Sequence, residues 1–315
     1  MAVARWWLLI SAVIVQSMAL GRVSCYSFGA ARKTRRLPSG EMMLNRNNLD
    51  AATTGQVIAL AMDMADAARP ASLGYFRRAD LVADNKASLG AFDPVTAADR
   101  AVEDALRAII ADCRPQDGIL GEERAGVDSQ SGLTWVLDPI DGTRAFLSGA
   151  PTWGVLIGLA DAQGPFLGVI DQPFIGERFV GGLGQCWTAG PSGRHPLATR
   201  PGRDLSQAIL FSTFPEVGTA AERAAFQRVA DACQLTRYGM DCYAYALLAA
   251  GQIDLVVEAG LHPYDIAAPL AVIEAAGGIV TNWQGGPVTM ADGGQQVLAA
   301  ANAEVHAQAL ALLRG

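Results

Sequence analysis

Apolar residues recur at helical spacing over Asp50 to Ala68, where Val57, Leu60, Ala61 and Met64 share one side and Pro70 is expected to end the helix. Tyr75 to Val82 reads as a strand or extended segment. A second amphipathic helix is expected over Thr96 to Ala111, with Thr96 as its N-cap ahead of Asp99. The period then shortens. Trp135-Val-Leu137 reads as a short buried strand, Thr143 opens a short helix from Arg144 to Leu147, and Gly121-Glu122-Glu123 lies in a loop. Trp153 to Ala160, Phe166 to Ile170 and Arg178 to Gly181 form a strand meander, and the Gly/Pro-rich Gly184 to Pro201 supplies loops and edges. Helices over Ala220 to Cys233, Asp241 to Ala250 and Tyr264 to Ala276 then alternate with strands over Leu235 to Tyr238, Ile253 to Glu258 and Ile279 to Thr281. This rhythm implies an α/β half behind a more antiparallel first half, with a boundary near residues 200–210.

Composition narrows the function classes. The 315 residues are 51% hydrophobic and 17% charged, which describes a chain with a large core rather than a disordered one. The net charge of −7, without a basic run in the main body, argues against nucleic acid as a partner. Cys25, Cys113, Cys186, Cys233 and Cys242 are widely spaced, without C-x-x-C, and are expected to be reduced. Three histidines leave little room for a zinc cluster or a Ser-His-Asp triad.

The N-terminus stands apart. Trp6 to Leu20 is apolar apart from Ser11, Gln16 and Ser17, with the size of a signal-peptide core and too short for a comfortable membrane span. Five basic residues follow it between Arg22 and Arg36, whereas a signal peptide normally has its positive charge in front. The favoured reading is a start upstream of the true initiator, Met42 or Met43, and hence a cytoplasmic protein. Export is the alternative if the apolar block is a leader. Residues 1–45 are thus expected to be an extension and 46–315 the folded body, with an N-terminal lobe to about 205 and a C-terminal α/β lobe over 206–315.

The candidate chemistry begins at Trp135-Val-Leu-Asp138-Pro-Ile-Asp141-Gly-Thr143. Two carboxylates about 4 Å apart repel by about 4 kcal/mol at an effective dielectric of 20, so a chain that aims both inward has a cation to place there. Hard oxygen ligands suit Mg²⁺ or Mn²⁺, and free amides at a helix start suit a phosphate. Taken alone, the segment is as readily a solvated Asp-rich turn. Three other segments can converge on it: Asp93-Pro-Val-Thr-Ala-Ala-Asp99-Arg100, Gly121-Glu122-Glu123, and His262-Pro-Tyr-Asp265 leading into Ala267 and Ala268. Singly, Asp265 could be a helix cap, Glu122 and Glu123 a solvated pair, and Asp99 a surface residue.

In this order of segments the chain resembles the inositol monophosphatase family of metal-dependent phosphatases, over roughly residues 50–315. The resemblance implies a mixed α/β (α+β) fold layered α-β-α-β-α, usually a homodimer. It implies that Glu122, Asp138 and the Ile140 carbonyl hold one Mg²⁺, that Asp138, Asp141 and Asp265 hold a second, and that a third, looser ion can share Glu122. Thr143 and Asp99 would orient and deprotonate the attacking water, and the Gly142 and Thr143 amides would hold phosphate oxygens. Lys86 stands about where the family often has a basic residue near the metal-bound water.

Asp84-Asn-Lys86, Phe211-Ser-Thr-Phe214 and Asp241-Cys-Tyr-Ala-Tyr245 are more similar to the histidinol-phosphate phosphatase branch. Asp241 and Glu258 would place two carboxylates against the organic part of the ester, which favours a cationic alcohol over a neutral polyol. Asp241 also reads as a helix N-cap, and Tyr243 or Tyr245 as an aromatic facing the substrate or as core. The expected reaction is hydrolysis of the small ester L-histidinol phosphate. The alternatives are an inositol-1-phosphatase, a broad sugar-phosphate phosphatase, or a non-catalytic regulatory relative.

Overall fold

The structure is a computed structural model that describes residues 43–85, 94–290 and 295–315. Residues 1–42, with Cys25, and Lys86 lie outside the described residues. Met43–Gly315 forms one compact unit. Among the described residues no helix is long and apolar enough to cross a membrane.

Helix α1 (Ala51–Leu73) starts at Asp50, whose side chain accepts the Thr53 N–H, and runs one turn beyond its expected end. Pro70 leaves the Asp66 carbonyl without a helical partner, and both residues are solvent-exposed, so water can take that bond. Tyr75 to Val82 holds turns rather than a strand; the short antiparallel pair is β1 (Ala83–Asn85) with β2 (Pro94–Thr96). Helix α2 (Ala97–Cys113) begins where expected, with a reciprocal cap between Thr96 and Asp99. Cys113 at its end is disulfide-bonded, against the expectation of reduced thiols, whereas Cys186, Cys233 and Cys242 are free.

A seven-stranded sheet follows: β3 (Gly118–Gly121), β4 (Thr134–Asp141), β5 (Gly154–Asp161), β6 (Gly164–Gln172), β7 (Glu177–Gly182), β8 (Gln185–Gly190) and β9 (Gly193–Pro196), in that spatial order. Only the β3–β4 pair is parallel. Helix α3 (Thr143–Ser148) lies between β4 and β5. The second half supplies β10 (Ile209–Ser212), α4 (Ala220–Ala232), β11 (Leu235–Tyr238), α5 (Cys242–Ala249), β12 (Leu255–Leu261), α6 (Pro263–Ala275), β13 (Ile279–Thr281), β14 (Gln295–Ala300) and α7 (Ala303–Arg314). Its sheet has the order β11-β10-β12-β14-β13, parallel on the first three strands and antiparallel at β14. The sequence pattern had not marked β10, β14 or α7.

The buried clusters define five layers. Val57, Leu60 and Met64 of α1 and Val102 and Leu106 of α2 pack on Trp135, Ile157 and Val169 of the first sheet. The opposite face of that sheet, with Leu156, Ile170 and Phe179, meets Leu248 of α5 and Ile266 and Ile273 of α6, which also touch Val256 and Val297 of the second sheet. Beyond it, Leu210, Leu255 and Leu298 pack on Phe226 of α4 and Val305 of α7. This is the expected α-β-α-β-α layering. Strand β5 is buried along its whole length because it has a helix layer on each face.

A row of glycines sets how closely α6 lies on the first sheet. Gly158, Gly168 and Gly181 are register partners across β5, β6 and β7. A Cβ at Gly168 would fall 2.2 Å from the Ala268 carbonyl oxygen, and one at Gly181 2.5 Å from the Val272 Cα. Only glycine lets the helix backbone approach the strands this closely, and that approach brings the start of α6 to the end of β4.

Candidate active site

Strand β4 delivers two carboxylates through an irregularity. Residues three apart on a regular strand point to opposite faces. Here Asp138 pairs with Leu156 and Asp141 with Gly154, so β4 holds one residue more than β5 between those pairs. That bulge puts both aspartates on one side, and Pro139 sits within it, where its missing donor is tolerated. The strand is anchored at its other end by Trp135, whose indole donates to the buried Asp117 at 3.0 Å.

Parallel register brings in the third carboxylate. Gly121 pairs with Leu137, so Glu122 emerges beside Asp138, close enough for its charge to raise the Asp138 carboxyl. A Cβ at Gly121 would meet the Glu103 carboxylate at 2.2 Å and would have to displace that side chain. Glu103, buried and paired with Arg107 at 2.7 Å, accepts the Glu123 N–H at 2.7 Å and so holds the loop. The fourth carboxylate, Asp265, lies in the first turn of α6, where it accepts the His262 N–H at 2.7 Å. It caps the helix and also reaches the cluster: ligand oxygens of Asp138, Asp141 and Asp265 all lie within 4.8 Å of one another.

The electrostatics show what such crowding costs. Burial first, then the charges of Glu122, Asp141 and Asp265, push the Asp138 carboxyl well above the usual carboxylate range. Burial and the neighbouring Asp241 and Asp265 do the same to Asp141, opposed by hydrogen bonds from Cys242, whose N–H donates at 2.6 Å. Asp265 is pushed up to about 7 by burial against the His262 amide, with Glu122 and Glu258 adding to the rise. A bound cation would reverse that penalty. Because the donors are all carboxylate oxygens, with no histidine or cysteine in the group, the set fits a hard divalent cation.

The remaining expected residues surround this cluster. The Ile140 carbonyl accepts the Thr143 hydroxyl at 3.1 Å and keeps a second lone pair. Thr143 Oγ1 stands 3.4 Å from Asp99 Oδ1, while Asp99 Oδ2 accepts the Thr96 N–H at 2.8 Å and its hydroxyl at 2.6 Å. Asp99 is fully buried, not a surface residue. Gly142, at φ 81°, is the N-cap of α3, and the first intrahelical bond runs from the Phe146 N–H to its carbonyl. The amides of Gly142 and Thr143 thus stand ahead of the helical ladder, as donors at a helix start do.

A cleft of about 330 Å³ adjoins the cluster and is lined by Asp141, Gly142, Thr143, Asp241, Glu258 and Asp265 among others. Asp241 occupies the N-cap position of α5 yet makes no side-chain cap hydrogen bond. Its backbone, at φ 48° and ψ −142°, is one that residues other than glycine adopt at a cost of about 1–3 kcal/mol. Burial raises the Asp241 carboxyl, while Thr152 and Arg144 oppose that rise. Glu258, 5% exposed, accepts the Thr213 N–H at 2.8 Å, the Thr213 hydroxyl at 2.5 Å and the Tyr245 hydroxyl at 2.7 Å. Burial raises its carboxyl too, against those bonds.

Tyr245 lines the cleft itself and donates its hydroxyl to Glu258, whereas the Tyr243 hydroxyl donates to Glu177 at 2.7 Å and Tyr243 is not among the lining residues. Sequence reading had not singled out Arg144, whose guanidinium lies 4.8 Å over the Phe214 ring, nor the supporting Glu103, Thr152 and Thr213. Thr213 had a signal, since it lies inside Phe211-Ser-Thr-Phe214.

Comparison with known proteins agrees with this geometry. The model of the inositol monophosphatase family matches residues 54–314. The chain is 40% identical over 256 residues to the chloroplastic bifunctional phosphatase IMPL2 of Arabidopsis thaliana, covering 78% of this chain and 72% of that protein. It is 35% identical over 229 residues to a histidinol-phosphatase of Mycobacterium tuberculosis, covering 72% and 87%. The solved structure of an inositol monophosphatase from Zymomonas mobilis superposes with a TM-score of 0.73 at 38% identity, covering 85% of this chain and 100% of that one. The chain belongs to the inositol monophosphatase family, a family of phosphatases.

Proposed function

We propose that this protein is a Mg²⁺-dependent phosphomonoesterase that hydrolyses L-histidinol phosphate to L-histidinol and phosphate, a step of histidine biosynthesis. Glu122, Asp138 and the Ile140 carbonyl would hold one Mg²⁺, and Asp138, Asp141 and Asp265 a second, while a third, looser ion would share Glu122. Bound there, Mg²⁺ supplies positive charge that polarises phosphoryl oxygens and lowers the pKa of bound water. The chain does the rest. The Gly142 and Thr143 amides hold the phosphate oxygens, the Thr143 hydroxyl orients the attacking water, and Asp99 behind it takes the proton.

The observation behind the choice of ester is Asp241. A carboxylate held in a strained backbone, declining the cap beside it and lining the cleft with Glu258, suits an alcohol with an ammonium group. The histidinol-phosphatase among the relatives supports the same reading. An inositol-1-phosphatase or a broader sugar-phosphate phosphatase is the second reading, favoured by the likeness to the Zymomonas mobilis inositol monophosphatase. A purely regulatory role is disfavoured by the full set of acidic side chains.

Phosphate release from histidinol phosphate and inositol-1-phosphate, with Mg²⁺ and with EDTA, tests the proposal. Histidinol phosphate should show the higher kcat/KM, EDTA should abolish both activities, and Asp241→Ala should lose histidinol phosphate at least tenfold more than the neutral ester. A preference for inositol-1-phosphate would overturn the substrate. The proposed enzyme is a cytoplasmic homodimer; sedimentation reads its mass, and N-terminal sequencing of the mature protein separates that location from export.

A further inference from the structure

Asp241 owes its aim to a residue distant in the chain. Thr152 lies in the turn between α3 and β5, with its Oγ1 3.0 Å from Asp241 Oδ2 and 3.4 Å from the Gly239 carbonyl oxygen. A hydroxyl has one proton to give, and the shorter, charge-assisted contact takes it. Gly142 packs closely against the same carboxylate, since a Cβ there would stand 2.8 Å from Asp241 Cγ. The carboxylate thus meets a hydroxyl and a bare backbone, and both contacts come from the first sheet's connections rather than from α5. Arg144 lines the same cleft, so a cationic ester meets net attraction only while the carboxylates are held in it.

We propose that Thr152 is a positioning residue for substrate selection: its hydroxyl holds the Asp241 carboxylate where it meets a cationic group on the leaving alcohol. This rests on the function proposed above and adds the group that aims its selecting carboxylate. Among the described residues the Thr152 hydroxyl bonds only Asp241 and the Gly239 carbonyl, not the phosphate site or the acidic cluster, so its influence belongs in KM and in the choice between esters.

Thr152→Val, Thr152→Ser, Asp241→Ala and the Thr152→Val/Asp241→Ala double variant are compared with the parent enzyme on histidinol phosphate and inositol-1-phosphate, with Mg²⁺. Loss of one charge-assisted hydrogen bond corresponds to about a tenfold change. Thr152→Val should raise KM for histidinol phosphate about tenfold, leave kcat within about twofold, and leave the neutral ester unchanged. Thr152→Ser should restore KM, and Thr152→Val should add nothing once Asp241 is alanine. Equal losses on both esters, a loss confined to kcat, no rescue by serine, or full additivity with Asp241→Ala would each overturn the inference. Melting curves establish that the variants fold, and Thr152→Ala replaces the valine if that one does not. A parent enzyme without preference for histidinol phosphate refutes the functional reading instead, and the Thr152–Asp241 cycle on that ester still reads the coupling.

Discussion

Single carboxylates in this site hold backbone as well as facing the chemistry. Asp138 accepts the Ile140 N–H at 3.0 Å, Asp141 the Cys242 N–H at 2.6 Å and Asp265 the His262 N–H at 2.7 Å. Each has one oxygen pinned by an amide, which pre-organises the cluster. Asp99 follows the same rule, with Oδ2 on Thr96 and Oδ1 toward Thr143. Asp99→Asn should therefore fold, because an amide oxygen can replace Oδ2, but its NH₂ group cannot take a proton through Thr143. Steady-state kinetics should show kcat down by about 10²–10⁴ with KM within a few fold. A fall below tenfold would remove Asp99 from the proton path. At this scale the sequence marked residues whose motif neighbours are local. Thr152 and Thr213 escaped because their partners lie 89 and 45 residues away, and hydroxyls in loops have no pattern that announces such a contact.

Two element-level devices bring those side chains together, the bulge in β4 and the glycine row beneath α6. The strand meander was legible because alternation and apolar runs are local properties. The glycine row was not, since it exists only once β5, β6 and β7 are in register, and scattered glycines otherwise read as loop punctuation. Strand β14, Gln-Gln-Val-Leu-Ala-Ala, has too few large or β-branched residues to signal a strand, yet it pairs with both β12 and β13. The row can be tested by paired substitutions. A Cβ at Gly168 would press on the Ala268 backbone, whereas one at Gly158 would stand 3.1 Å from the Ala267 Cβ, which can yield by a few tenths of an ångström. Gly168→Ala should cost about 2–4 kcal/mol, a fall of about 5–10 °C in Tm, and Gly158→Ala about 1 kcal/mol or less. Because α6 places Asp265, Gly168→Ala should also lose activity at temperatures where it remains folded. Similar melting temperatures for the two variants would mean that α6 does not depend on this close approach.

Across the whole molecule the acidic cluster ties distant parts of the chain together. Asp138 and Asp141 come from β4 of the first sheet, Glu122 from the residue just after β3, and Asp265 from the helix that follows β12 of the second. Without a cation their charges oppose this arrangement; with one, the same charges favour it, so the sign of their effect on stability depends on metal. A ligand that binds only the folded state at 100 times its Kd adds about 2.7 kcal/mol, about 5–10 °C in Tm for a chain of this size. Added Mg²⁺ should raise the melting temperature by that order over the value in EDTA. Asp138→Asn removes one charge from the centre of the group, so in EDTA it should melt above the parent protein, by about 1–2 kcal/mol of stability. The same variant should gain little from Mg²⁺ and hydrolyse neither ester. Thermal melts of both proteins, in EDTA and along a Mg²⁺ titration, separate this from a general salt effect. If the parent and Asp138→Asn gained equally from Mg²⁺, the ion would be acting elsewhere, and the like charges that converge here would need a different explanation.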